Sequence, residues 1–251
     1  MSLQFSTKLR NTLLSGAPAL RSDVSITGTT IAAVDGGAGA DSFTDSGNGF
    51  LTAGFTPGDT FLSSGWTTGG ANNNNKLFTI VTVTAGVIEV ATGLLAAKEA
   101  GDTVVFTLVN GPCLRDIFKD GVIKIYSGSQ PVSADAAITG SLLATLTLDS
   151  GAWVAGAHAN GLEFGLASAG VISKDSGVWS GTGLVLGIAG WYRFYANPSD
   201  TGALDSGFAY PRIDGAIGTS GAQITASATN IAVGANITLS SYSITMGAEG
   251  A

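Results

Sequence analysis

One cysteine, one histidine, two methionines and six prolines are all that 251 residues contain of these types. Cys113 has no partner for an internal disulfide. The lone His158 excludes a histidine-based metal cluster and stands outside any recognisable Ser–His–Asp arrangement. Cationic side chains are few as well, with 11 Lys and Arg against 18 Asp and Glu and a formal net charge of −7. A nucleic-acid groove needs a clustered basic surface to neutralise phosphates, so no nucleic acid is expected as a partner. Charged residues make up only 12% of the chain, but Val, Ile, Leu and Phe are too frequent for a disordered polymer. No run of about 18 apolar residues offers a membrane span. The opening MSLQFSTKLRNTLLSG lacks an apolar segment followed by a small-residue cleavage site, so no Sec signal is expected and synthesis in a cytoplasm is. The four glutamates, Glu89, Glu99, Glu163 and Glu249, stand outside any motif, against the paired carboxylates of a glycan-cleaving hydrolase. No enzymatic activity, catalytic residue, cofactor or metal is expected.

What the chain does have is glycine, 37 residues, about twice the usual ~7% share, together with many β-branched residues. That composition suits short strands and tight turns. One helix is predicted at the start, with Ser6 as N-cap, Leu9, Leu13 and Leu14 at helical spacing, and Gly16 and Pro18 ending it. From Asp23 to Asn110 the pattern changes to period two, broken by Gly-containing turns such as GFTPGD at 54 to 59. A second short helix, CLRDIFKDG, then runs into the strand VIKIYSG, and further alternating segments continue to the end. The expected fold is all-β: a β-sandwich with short N-terminal helices and an inserted small β-barrel-like domain. The expected boundaries are 1–22 for the helical segment of the sandwich, 23–110 for the insert and 111–251 for the sandwich itself.

Residues 114 to 148 place a short helix before an Ile-Lys-Ile-Tyr-Ser-Gly strand. Gln-Pro, a Ser-Ala-Asp-Ala-Ala loop and a strand opening Leu-Leu-Ala follow. In this succession the chain resembles a family of tailed-bacteriophage structural proteins. Residues 35 to 60, with DSFTDSGNGFLTAGFTPGDTF, similarly resemble a small β module that phages reuse in otherwise unrelated virion proteins. The resemblance covers 1–22 and 111–251 loosely and 23–110 as a grafted piece. It implies a virion component without enzymatic activity, made in the host cytoplasm, whose partners are the major capsid or tail proteins. It supplies no catalytic residues.

Alternation along WYRFYAN puts Trp191, Arg193 and Tyr195 on one strand face and Tyr192 and Phe194 on the other. One face is expected to be core, and the other a contact surface, since Trp, Tyr and Arg are enriched at interaction hot spots. Leu9 and Leu13 of the first helix are the second expected contact. Low surface charge and unprotected sheet edges point to a homo-oligomer, and a trimer follows by analogy with capsid three-fold positions. His158 reads as a surface-loop residue and Cys113 as a buried, inert thiol. Asp35, Asp41, Asp45 and Asp59 read as turn formers rather than calcium ligands, and Asn72 to Asn75 as an exposed loop tip. The functional expectation is a capsid decoration or minor capsid protein. A tail or collar protein and a carbohydrate-binding receptor-recognition protein are the alternatives.

Overall fold

The computed structural model describes residues 3–16, 19–67, 69–111, 113–197 and 199–245. The chain divides into two compact units, one built from residues 3–16 and 113–245 and the other from 19–111. Both are β structures.

In the larger unit the central strand is Gly187–Tyr195, paired antiparallel with Val122–Ser127 on one side and Arg212–Gly218 on the other. Beyond Val122–Ser127 lie Leu142–Leu148, Trp179–Thr182 and, at the edge, Asn236–Leu239. The two-residue strand Gln4–Phe5 closes the opposite edge. Two strands separate Trp179–Thr182 from Gly187–Tyr195, which in a flat sheet is a distance of about 14 Å. The Trp179 and Phe194 rings nevertheless meet edge to face with centroids 5.7 Å apart, so the sheet curls over its own core. Phe164 and Tyr242 complete the ring cluster. Ile123, Ile125, Tyr192, Phe194 and Ile213 form the floor of this core.

The first helix, Thr7–Ser15, starts where the sequence predicts, because the Ser6 side chain accepts from the Leu9 N–H. Asp135 takes the next free donor, Thr7 N–H, on both carboxylate oxygens. This helix presses Leu9 into the core, with Leu13 partly buried beside it. The second helix is only Leu114–Ile117 and contributes Leu114, with Phe118 just beyond it.

The unit of residues 19–111 holds two four-stranded antiparallel sheets. Phe43 of one sheet meets Phe61, Phe78 and Phe106 of the other at ring-centroid distances of 5.7, 5.1 and 4.7 Å, so the sheets share one aromatic core. The strand Ala19–Gly28 begins before the expected boundary at Ser22, pairing Ala19 with Asn110. Its register shifts between Arg21 and Ser25, a bulge that makes a continuing strand look like a break in the sequence pattern. Asp41, Asp45 and Asp59 fix turns. Asp41 accepts from Gly36, Leu94 and Leu95 N–H, Asp45 from Thr30 Oγ1 and from Gly47 and Gly49 N–H, and Asp59 from Thr56. Burial pushes the Asp41 and Asp45 carboxyls up, but these hydrogen bonds outweigh it and hold both below the usual range. Asn72 and Asn75 are exposed as expected, but the middle of the run is tied into the fold. Asn73 is buried, its amide nitrogen donating to the Ala96 carbonyl and its oxygen accepting from the Ala96 N–H, and Asn74 brackets the Trp66 backbone in the same way. A buried amide needs its own partners, and this turn supplies them.

Candidate functional site

Strand alternation delivers Trp191, Arg193 and Tyr195 to the sheet face opposite the core, as expected, but that face is not a surface. All three are buried, at 0, 0 and 2% exposure. The Trp191 ring stacks on Tyr126 at 4.6 Å, and the Tyr126 and Tyr195 hydroxyls share a hydrogen bond of 2.9 Å. Arg193 donates to both oxygens of Asp214 at 2.7 Å, and Arg212 donates to both oxygens of Asp200 at 2.6 and 2.7 Å. Further guanidinium donors hold covering loops in place: one Arg193 terminal nitrogen reaches the Ala136 carbonyl while the other, also buried, has no hydrogen-bond partner among the described residues, and Arg212 reaches the carbonyls of Ala134 and Ala203. Residues 132–138 and 200–205 thus lie over the face that a bare reading of the strand leaves open. Leu9 and Leu13 sit against the opposite, core face. Of the expected contact surface, Leu9, Trp191, Arg193 and Tyr195 are therefore interior and Leu13 is half-buried, and its two halves are on different sides of one sheet.

His158 is also more tied down than a surface-loop residue. Its Nδ1 and Asp120 Oδ1 are 2.6 Å apart, and its side chain is 26% exposed. Asp120 occupies the left-handed region at φ 62° and is buried. The loop bearing His158 is clamped onto it: Trp153 Nε1 donates to the Asp120 carbonyl, and Gly121 and Leu162 exchange backbone hydrogen bonds. A Cβ on Gly161 would stand 2.2 Å from Asp120 Cα, so only glycine allows this approach. Glu163 lies close, with Lys119 Nζ 3.6 Å from its carboxylate. Ligand atoms of Asp120, His158 and Glu163 fall within 4.8 Å of one another. A divalent cation there would have to open the Asp120–His158 hydrogen bond and compete with Lys119. The chemistry already present is a braced acid–imidazole pair. Glu163 was visible as a neighbour in sequence. Asp120, 38 positions away, carried no signal beyond its place in a Lys-Asp-Gly turn.

The hydrogen bond to Asp120 raises the His158 pKa, burial opposes it, and the Asp120 and Glu163 charges add to the rise. The charged pair therefore stabilises the folded state fully below the unfolded-state value of about 6.5 and fades as pH rises through the elevated folded value. Thermal melts of His158→Ala against the parent chain should show a larger stability loss at acidic than at alkaline pH. A loss independent of pH would contradict the ion-pair assignment.

Cys113 is exposed rather than buried, and partial desolvation raises its thiol pKa, so it is not an activated nucleophile. The large exposed side chains that do gather are apolar. Leu184, Val185 and Leu186 lead into the central strand and Ile188 lies at its start, exposed at 47 to 74%, and Val233 lies on the neighbouring turn. No family model, no curated protein and no solved structure matches this chain.

Proposed function

We propose that this chain is a non-enzymatic structural component of a tailed-bacteriophage virion, docking on the particle surface as a capsid decoration or minor capsid protein. The observation that carries the reading is an inverted distribution of side chains. Arg193, Asp214, Arg212 and Asp200 are spent inside, bracing loops to a sheet, while Leu184, Leu186, Ile188 and Val233 stand in solvent. A surface of this kind is suited to completion by neighbouring subunits, since sizeable exposed apolar patches mark interaction sites. The resemblance of residues 114 to 148 to phage structural proteins supplies the particle. The carbohydrate-binding alternative needs exposed aromatic rings to stack on a sugar, and Trp191 and Tyr195 are buried.

Labelling intact particles with gold-conjugated Fab fragments raised against residues 19–111 tests this. Label spread over the head at a fixed copy number is the expected result. Label confined to the neck or tail would move the chain to a collar or tail position. Its absence from purified, infectious particles would overturn the proposal.

A further inference from the structure

The exposed apolar residues leading into and opening the central strand belong to a defined ribbon. Gly187 pairs with Ile231 and Ile188 with Asn230. Farther out, Gly183 N–H donates to the Ala235 carbonyl and Gly234 N–H to the Gly183 carbonyl. Segments 183–188 and 230–235 therefore run side by side, and Leu184, Val185, Leu186, Ile188 and Val233 are their exposed side chains, at 52, 47, 74, 64 and 69%. Beside the ribbon is a cavity of about 500 Å³, walled in about equal measure by apolar side chains such as Ile125, Ile224 and Ile231 and by hydroxyl and amide side chains such as Thr225, Asn230 and Thr238, with no charged side chain lining it. Ile231 belongs to both features. The adjoining edge strand, Asn236–Leu239, has no charged or proline residue to discourage pairing.

Charge says what can approach this face. Residues 176–192 and 215–248 contain no Asp, Glu, Lys, Arg or His, in a chain whose net charge is −7. Two copies of such a protein repel through most of their acidic surface. At the ribbon they meet without opposing carboxylates. Because the ribbon and the cavity adjoin, a two-fold axis beside them lets each copy's apolar side chains enter the other's cavity, the self-complementary geometry of an isologous contact. We propose that this face binds a second copy of the chain, with the ribbon around Leu186 seated reciprocally in the cavity walled by Ile224 and Ile231. This contact uses the same apolar face on which the proposed function rests, and the test below separates a second copy from a capsid protein as its occupant.

Sedimentation velocity of the full chain across micromolar concentrations tests it. The parent chain should self-associate, and Leu186→Asp and Ile188→Asp should each weaken association by about tenfold or more, as loss of a hot-spot side chain does. Both positions are solvent-exposed, and near-ultraviolet circular dichroism checks that each variant remains folded. Ala228→Trp, at an exposed position on the cavity wall, should weaken association comparably by filling the partner's seat. Val132→Asp, at a 93% exposed site on the loop covering the opposite face, should change nothing. A monomeric parent chain, or ribbon variants that associate like the parent, would overturn the proposal. An unaltered Ala228→Trp would overturn the seating in the cavity. A monomeric parent that binds stripped particles, and loses that binding in Leu186→Asp, would assign the face to a capsid protein instead.

Discussion

Replacing Asp214 by alanine should destabilise the unit of residues 3–16 and 113–245 by about 3–5 kcal/mol, the usual cost of leaving one half of a buried ion pair unpaired. For a unit of this size, that corresponds to a drop in melting temperature of about 6 to 20 °C. Asp214 and Arg193 are both 0% exposed. Burial works to lower the Arg193 pKa, but the paired hydrogen bonds to Asp214 and its charge raise it. Without the carboxylate, the guanidinium retains only its bond to the Ala136 carbonyl among those described for it. The double replacement Arg193→Met with Asp214→Leu should recover most of the loss, because an apolar pair of similar volume removes both desolvation penalties together. Differential scanning calorimetry of the three proteins reads this directly. A single-variant loss below about 1 kcal/mol would place the pair in a wetter setting than its burial indicates.

Phe43→Ala should have an effect of similar size in the other unit, about 3–5 kcal/mol, as expected when a buried phenyl ring leaves a cavity. Phe43 touches four rings, Phe61, Trp66, Phe78 and Phe106, and links the two sheets of residues 19–111 within their shared core. Trp66 stacks on it with centroids 5.9 Å apart and is the one tryptophan of residues 19–111, so its resonance in a 5-fluorotryptophan-labelled chain, distinct from those of Trp153, Trp179 and Trp191, reports the transition of this unit. Urea titration should show the Trp66 transition shifted to lower denaturant and the transition of the larger unit in place. An equal shift in both would mean that the two units unfold as one.

What could be read from sequence was local or periodic. The Ser6 cap, the leucine spacing after it and the alternation of Trp191 to Tyr195 each depend on neighbours within a few positions, and each has its counterpart in the structure. What escaped depends on segments without a pattern of their own. Residues 132–138 and 200–205 carry no strand or helix signal, yet their carbonyls and Asp200 convert the outer face of the central strand into interior. The Asp120–His158 pair joins two turns 38 positions apart, and the Asn73 amide reaches a backbone 23 positions away. A turn residue looks alike in sequence whether it faces water or another turn. Strand Ala19–Gly28 was read as starting late for a different reason: a bulge carrying Arg21 and Asp23 interrupts the alternation without interrupting the strand.

The bond between Ser6 and Arg212 sets a schedule for synthesis. The Ser6 hydroxyl oxygen accepts from the Arg212 N–H and the hydroxyl donates to the Tyr210 carbonyl, across 206 and 204 positions of chain. At roughly 5–20 residues per second, a ribosome needs about 10 to 40 s to travel that distance. The unit of residues 19–111 is contiguous, so all its strands emerge well before Arg212 exists. The helix at residues 7–15 must wait throughout, its Leu9 open to whatever binds nascent apolar chain, until the strand Arg212–Gly218 is made. Residues 3–16, though translated before the rest of their unit, are among the last to reach their native contacts.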